Sequence, residues 1–160
     1  MSIQYRLATN QDQEFLWEML YQAVYVSPGD PAPSRDIIQL PELAKYVQSW
    51  GQPNDLGMIA EDENGLPLGA AWIRLFTGQQ RGYGYVADDY PELSVAILPG
   101  QRGKGIGEQL MRQLLAQAQS RWAGVSLSVQ EQNPAARLYR RLGFAETSRQ
   151  GDSLTMLLKF

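Results

Sequence analysis

Hydrophobic residues alternate with polar ones in some stretches of this chain and recur at steps of three or four in others. Alternation and short apolar runs predict strands at 2–8, 56–61, 66–77, 92–98, 125–129, 144–149 and 154–160. Helical spacing predicts helices at 10–25, 41–50, 106–122 and 133–142. The segment 27–33 holds three prolines and a glycine and is predicted to be a loop, as is 78–89.

The order of these elements indicates the fold class. Strands adjoin strands in the first and last parts of the chain, whereas helices interrupt strands in the second half. We therefore expect an α/β (α+β) fold with a mixed sheet. The chain has 160 residues and shows no repeat, low-complexity tract or linker, so we predict a single domain over 1–160.

The amino-acid composition excludes several classes of function and of catalytic site. The net charge of −3 argues against a protein whose main role is to bind nucleic acid or an anionic membrane. The chain has no Cys and no His, which excludes disulfides, thiolate metal sites and the Ser-His-Asp triad. Acid–base chemistry must then come from carboxylates, Tyr, Lys, the main chain or water. Without an apolar run of about 20 residues or a signal-peptide core, we expect a soluble, cytoplasmic protein.

The most informative stretch is a strand, a glycine-rich loop and a helix at 93–108. Glycines at 103, 105 and 107 stand at alternate positions, and each costs about 1 kcal/mol relative to Ala within a helix. They instead expose main-chain amides that a ligand can approach closely. The first turn of a helix attracts anions, and Arg102 and Lys104 add positive charge at the same place. The loop therefore predicts an anion site, with a turn that binds nothing as the alternative.

Two better-known phosphate loops do not fit these residues. Ile106 stands where a nucleoside-triphosphate loop needs Lys, and Glu108 stands where a dinucleotide fingerprint needs its third Gly. The anion site is thus of another kind.

Two motifs resemble one known family. Residues 102–107, Arg-Gly-Lys-Gly-Ile-Gly, match the Arg/Gln-x-x-Gly-x-Gly/Ala signature of the GNAT (N-acetyltransferase) superfamily. Residues 133–144 resemble that family's Asn-x-x-Ala-x-x-Leu-Tyr-x-x-x-Gly-Phe segment. The resemblance spans most of the chain and is weakest over 27–55 and 78–91. It implies the GNAT fold, with a mostly antiparallel central sheet of about six to seven strands flanked by about four helices.

The resemblance implies acetyl-CoA as co-substrate and no metal. In this family the loop amides hold the pyrophosphate of coenzyme A. That role falls, mainly through the main chain, on Arg102, Gly103, Lys104, Gly105, Ile106, Gly107 and Glu108. The pantetheine arm is expected to pair like an added strand with the main chain near Val95, Ala96 and Ile97, which requires this strand to part from its neighbour.

The second motif supplies two further candidates. Asn133 is suited to cap the helix that follows, and the family places this Asn beside the pantetheine. Tyr139 corresponds to the Tyr that family members use to protonate or stabilise the departing thiolate, and a phenol can act as an acid where His and Cys are absent. The alternatives are a plain cap for Asn133 and simple core packing for Tyr139.

A carboxylate is needed as base, because an ammonium substrate must lose a proton before it attacks. Glu92 resembles the glutamate that some family members use through water at the start of this strand, with Asp88 and Asp89 as alternates or as attractors of a cationic amine. A main-chain N–H near Ile97 is expected to meet the oxyanion. The resemblance thus implies direct transfer of an acetyl group to a primary amine in a ternary complex, without a covalent acyl-enzyme.

The acceptor cannot be read from the sequence. A small molecule or a peptide N-terminus both fit, and acidic residues near the expected mouth favour a cationic acceptor. Aromatic residues that could wall its site, or belong to the core or surface, are Tyr83, Tyr85, Tyr90, Trp50 and Trp72. A non-catalytic coenzyme A-binding module is the rival hypothesis, an acyl group other than acetyl is a weaker one, and a homodimer is left open.

Overall fold

A seven-stranded sheet in the order β1-β2-β3-β4-β5-β7-β6 organises the computed structural model, which describes residues 2–160. Every neighbouring pair is antiparallel except β4 and β5, which are parallel. The strands are β1 Gln4–Leu7, β2 Leu56–Glu61, β3 Pro67–Arg74, β4 Glu92–Ile97, β5 Gly124–Gln130, β6 Ala145–Gln150 and β7 Ser153–Lys159. The mixed, mostly antiparallel sheet expected from the sequence is confirmed.

Four α-helices occur among the described residues: α1 Gln13–Ala23, α2 Pro41–Ala44, α3 Ile106–Ala118 and α4 Ala135–Arg141. Two core layers form because side chains alternate across the strands. On one face of the sheet, α3 buries Ile106, Leu110 and Leu114. On the other face, α1 buries Leu16 and Met19. Strand β4 thus lies between α1 and α3.

The predicted helix at 41–50 is wrong beyond residue 44. Main-chain carbonyls of Lys45 and Gln48 accept hydrogen bonds from the Arg74 guanidinium at 2.9 and 2.7 Å. In a continuing helix the Lys45 carbonyl would accept the Ser49 N–H, whereas here it accepts from Arg74 on β3. Ser49 then adopts a φ of 59°, which also ends the helix. The segment nevertheless stays packed, and Tyr46 and Trp50 are buried.

A buried ion pair fixes this segment. The Arg74 Nε and Nη2 atoms each donate to Asp55 at 3.0 Å, and the two side chains are only 9% and 6% exposed. Bidentate geometry of this kind gives directional as well as electrostatic stabilisation. Through Arg74, strand β3 holds residues 45–48 in place beside the start of β4.

We predict that Asp55→Asn lowers the free energy of unfolding by about 3 kcal/mol, because it leaves the Arg74 cation buried without its counter-ion. Urea unfolding measures the change. Glu18→Gln is the matched control, since it breaks the exposed Arg35–Glu18 pair and is expected to cost less than about 1 kcal/mol. Equal, small losses in both variants would contradict the role given to the buried pair.

Candidate active site

Strand β4 parts from β5 immediately after its first residue. Glu92 is matched with Ser126, and no further pair connects the two strands. On its other side β4 pairs with β3 along its whole length. The separation of β4 and β5 predicted from the sequence is therefore present, and it leaves one edge of β4 open.

The ladder with β3 determines which main-chain groups face the opening. The Leu98 N–H donates to the Leu68 carbonyl at 2.9 Å, and hydrogen-bonded pairs alternate along an antiparallel ladder. Ala96 therefore faces β3, whereas Val95 and Ile97 turn their main-chain groups toward the opening. Three residues were expected to pair with an added strand. Val95 has both main-chain groups free toward the opening, whereas Ile97 has a free N–H beside a carbonyl that Arg102 Nε occupies at 3.2 Å. The main chain of Ala96 is bonded to β3 instead.

The glycine loop carries a run of main-chain amides without partners. None of the N–H groups of residues 102–108 donates a hydrogen bond to another group of the described chain. Gly103 and Gly105 have φ of 80° and 79°, in the left-handed region where a side chain is strained. A Cβ at either position would meet nothing within 4 Å, so the space above the loop is open. The loop is thus a cradle of unpaired N–H donors, as an anion site requires.

Charged side chains surround this cradle. Arg102 is exposed, and its Nε donates to the Ile97 carbonyl at 3.2 Å. The Glu108 carboxylate lies in the first turn of α3 but is paired with Arg112 at 2.9 Å and with Arg141 at 2.7 Å. Hydrogen bonds from Arg141 and then Arg112 lower the pKa of Glu108. The two arginines therefore balance the negative charge of Glu108, and the charge around the cradle remains positive overall.

Helix α4 brings its two candidates to the opening between β4 and β5. Asn133 Oδ1 accepts the Ala135 N–H at 3.0 Å, so it caps the helix as predicted and keeps its amide nitrogen free. Tyr139 is buried against Phe144 with their rings 6.2 Å apart, yet it also lines the opening. Burial raises the pKa of Tyr139 to about 12, so the phenol stays protonated at neutral pH.

Glu92 is a buried carboxylate at the base of the opening, with only 4% of its surface exposed. Its Oε2 accepts a hydrogen bond from the Tyr46 hydroxyl at 2.5 Å, while its Oε1 has no hydrogen-bond partner. Burial raises the pKa of Glu92 to about 7, although the Tyr46 hydroxyl, the nearby Gly84 N–H and the Lys45 charge act in the opposite direction. A carboxylate that titrates near neutral pH suits a general base.

Tyr46 orients this carboxylate, a role that the sequence pattern did not reveal. Its hydroxyl accepts the Tyr83 N–H at 2.7 Å, which directs the hydroxyl proton toward Glu92. Burial, followed by the Glu92 charge, raises the pKa of Tyr46. Gly82 leaves room for the contact, because a Cβ there would lie 2.1 Å from Glu92 Oε1. Tyr46 falls within the predicted helix at 41–50, and no local signal marks its partner 46 residues away.

Two connected spaces occupy the opening. A cleft of about 630 Å³, here the glycine-loop cleft, runs from the loop along β4 to Tyr139. A cavity of about 410 Å³, here the inner cavity, continues to Glu92 and is bordered by Tyr46 and Tyr83. Both spaces are lined by Val95, Asn133 and Tyr139. The two catalytic candidates therefore border one continuous space.

The other residues considered for this region lie elsewhere. Trp50 and Trp72 are buried in the core beside α1. Asp88 and Asp89 are exposed on the loop before β4, and Asp88 accepts a hydrogen bond from Tyr85 at 2.6 Å. Neither aspartate lines the inner cavity, which leaves Glu92 as its carboxylate.

Residues 2–160 contain neither a cluster of metal ligands nor a membrane-spanning helix. No group of three or more Asp or Glu side chains in this part of the chain could hold a metal ion. No helix within it has the length and apolar character needed to cross a bilayer.

Comparison with known families agrees with this geometry. A family model described as an acetyltransferase (GNAT) domain matches residues 53–146, which is more than half of the chain. The protein therefore belongs to the GNAT family of acetyl-CoA-dependent acetyltransferases. Streptothricin acetyltransferase of Streptomyces lavendulae is 49% identical over 53 residues, which cover 32% of this chain and 28% of the relative's length.

Solved structures share the whole fold. A GNAT-superfamily phosphinothricin acetyltransferase from Sinorhizobium meliloti, solved with acetyl-CoA, has a TM-score of 0.71 at 22% identity and covers 100% of this chain and 89% of its own. The PaiA N-acetyltransferase of Thermoplasma acidophilum, solved with coenzyme A, has a TM-score of 0.70 at 18% identity, with 100% of each chain covered. The predicted GNAT fold is confirmed.

The Glu92 environment predicts a pH-dependent stability. The pKa of Glu92 is about 7 in the folded chain and near 4.5 ordinarily, so the folded chain holds this proton more tightly. The free energy of unfolding is therefore expected to fall as the pH rises from about 4.5 to about 7. At pH 8, Glu92→Gln should be more stable than the wild type by about 1–3 kcal/mol, with a much smaller difference at pH 5. Urea unfolding at both pH values tests this, and parallel pH profiles for the two proteins would contradict it.

Proposed function

We propose that this chain, acting as a single domain, transfers the acetyl group of acetyl-CoA directly to a primary amine. The observation that carries the proposal is the alignment of three features along one opening: the unpaired amides of 102–108, the free edge of β4, and a cavity bordered by Glu92 and Tyr139. Each feature supports one part of the reaction.

The glycine loop and β4 fit coenzyme A. The amides of 102–108, with Arg102 and Lys104 beside them, would hold the diphosphate by many N–H donors at a helix N-terminus. Gly107 serves no packing need of its own, since a Cβ there would approach only Ile97, at 3.9 Å. The main-chain edges of Val95 and Ile97, and the free amide nitrogen of Asn133, would hold the pantetheine arm.

Gly105→Asp is expected to abolish acetyl-CoA binding, because it places a carboxylate beside the diphosphate amides. Gly105→Asn has nearly the same shape without the charge and tolerates a positive φ, so it should weaken binding less. Calorimetry measures the affinity. Gly65→Asp is the control for folding, since Gly65 has a φ of 81° and equally open surroundings but lies in the β2–β3 turn. Unchanged affinity in Gly105→Asp would overturn the loop assignment.

Glu92 would act on the acceptor nitrogen. An ammonium group must lose a proton before it can attack the thioester that acetyl-CoA supplies. Oε1 has no hydrogen-bond partner and would take that proton, while Oε2 stays bound to Tyr46. With a pKa of about 7, the Glu92 carboxylate is about half ionised in neutral solution, and it is basic enough to accept a proton.

Tyr139 would act on the departing sulfur. A thiol of ordinary pKa, about 8.5, is more acidic than the Tyr139 phenol, whose pKa is about 12. The phenol therefore stabilises the thiolate by donating a hydrogen bond rather than by giving up its proton fully. In balance, an N–C bond forms, a C–S bond breaks, and the nitrogen loses two protons. Glu92 takes the first before the attack, and solvent takes the second as the tetrahedral adduct collapses. Coenzyme A leaves as a thiolate that acquires one proton from solvent, so one proton is released overall. The N–H of Val95 or Ile97 is available to hold charge on the carbonyl oxygen.

Three variants test these roles with an amine identified by thiol release. Glu92→Gln should lower kcat about 100-fold and Tyr139→Phe at least about tenfold, with the acetyl-CoA affinity unchanged. Because the base must be ionised, kcat/KM should rise with pH through about 7 in the wild type, and Glu92→Gln should lose this limb. Tyr46→Phe should move the limb to higher pH, since its hydrogen bond favours the charged carboxylate.

Tyr85→Phe is the matched control, because it removes an exposed hydrogen bond to Asp88 and should leave the profile unchanged. Full activity in both Glu92→Gln and Tyr139→Phe would contradict the assigned roles. Binding of acetyl-CoA without transfer to any amine would instead favour a non-catalytic coenzyme A-binding module.

A further inference from the structure

The lining of the inner cavity carries negative charge and no positive charge. Among the residues that line it, Glu92 is the only one with a charged side chain, and no Lys or Arg is present. Its Oε1 is buried and has no hydrogen-bond partner within the described chain, so this oxygen lacks the donor that a bound ammonium would supply. Tyr25, Tyr46 and Tyr83 supply aromatic walls. Such a space favours a cation carried on an apolar body.

The space next to the inner cavity is also lined by acidic residues and by no cation. A third space of about 440 Å³, here the outer cavity, shares Val24, Tyr25 and Gln130 with the inner cavity. Asp30 and Asp152 line it, and again no Lys or Arg does. Neither aspartate belongs to an ion pair of the described chain. The inner and outer cavities, which share Val24, Tyr25 and Gln130, are together named the acceptor path here. Their lining residues include three carboxylates and no cation.

Two cations near these carboxylates, Lys45 and Arg149, bind other groups. The Lys45 ammonium lies near enough to Glu92 to lower its pKa, but Lys45 donates to the Arg81 carbonyl and lines neither cavity. Arg149, close in sequence to Asp152, pairs with Glu131 at 2.8 Å and with Glu146 at 3.3 Å. An acceptor carboxylate or phosphate in this path would meet no counter-ion and would be repelled by Glu92.

On the basis of the proposed acetyltransferase activity, we propose that the acceptor is a small dication without an acidic group. Its reacting amine lies beside Glu92, its methylene body lies against Tyr25, and its second cationic group lies in the outer cavity with Asp30 and Asp152. An amino acid or an organic phosphate of similar size is excluded from this path by charge.

Three amines of nearly equal length separate the two parts of this proposal. Cadaverine has two amines and no acid, lysine adds a carboxylate to the same skeleton, and pentylamine lacks the second cation. Initial rates of thiol release from acetyl-CoA give kcat/KM for each. Cadaverine should exceed lysine and pentylamine by about tenfold or more each, which corresponds to about 1.4 kcal/mol.

Variants locate the second cation. Asp30→Asn combined with Asp152→Asn should raise KM for cadaverine about fivefold or more while leaving pentylamine unchanged within about twofold. Glu14→Gln together with Glu63→Gln removes the same charge from exposed positions that line neither cavity, and should leave both amines unchanged. An equal change in the two double variants would overturn the assignment of the outer cavity.

The same measurements distinguish a failure of the dication proposal from a failure of the acetyltransferase activity on which it rests. Lysine acetylated as well as cadaverine would overturn the exclusion of acids, and pentylamine equal to cadaverine would overturn the second cation. If acetyl-CoA binds but none of the three amines is acetylated, calorimetry with the same amines decides. Tighter binding of cadaverine than of lysine then supports the charge argument although the transfer activity fails, and an equal or reversed order overturns it.

Discussion

The separation of two parallel strands is the constraint on which the rest of the site depends. A parallel pair normally continues its ladder, but β4 and β5 are joined only at Glu92 and Ser126. Beyond that point the main chain of β4 has a free edge, the glycine loop follows at its far end, and α4 reaches the opening from β5. A ligand that enters can therefore be held by main-chain groups, which leaves the side chains at the base of the opening free for chemistry.

At the base of the opening, the burial of Glu92 lowers the stability of the fold but makes the carboxylate a better base. Glu92 is buried, which costs folding free energy once it ionises, yet the same burial brings its pKa to about 7. Tyr46 limits that cost by donating a hydrogen bond, and Arg74 holds the segment that carries Tyr46 through its carbonyls. A structural ion pair on β3 is thus linked to the protonation of a carboxylate on β4.

Sequence reasoning succeeded where the determining interactions are local. The strand at 56–61, the glycine loop and the cap at Asn133 follow from short-range periodicity and turn chemistry, and all three are present. It failed where distant groups compete with local ones. Arg74 ends the helix at 41–50 by taking its carbonyls, and Tyr46 meets Glu92 across 46 positions. The acceptor path is likewise formed by α1, a turn before β7 and the start of β4, which no sequence window brings together.

Gly82 limits which positions of the loop at 78–91 can be substituted. This loop is otherwise irregular, and half of its positions are exposed to solvent. At position 82, however, the first carbon of any side chain would collide with Glu92 Oε1 and with the Tyr46 hydroxyl, 2.6 Å away. The close approach of the loop to the Glu92–Tyr46 pair therefore requires glycine at this position. Gly84 is restricted in the same way, since a Cβ there would lie 2.6 Å from the main chain of Leu127. Substitutions that change this surface must therefore leave both glycines in place.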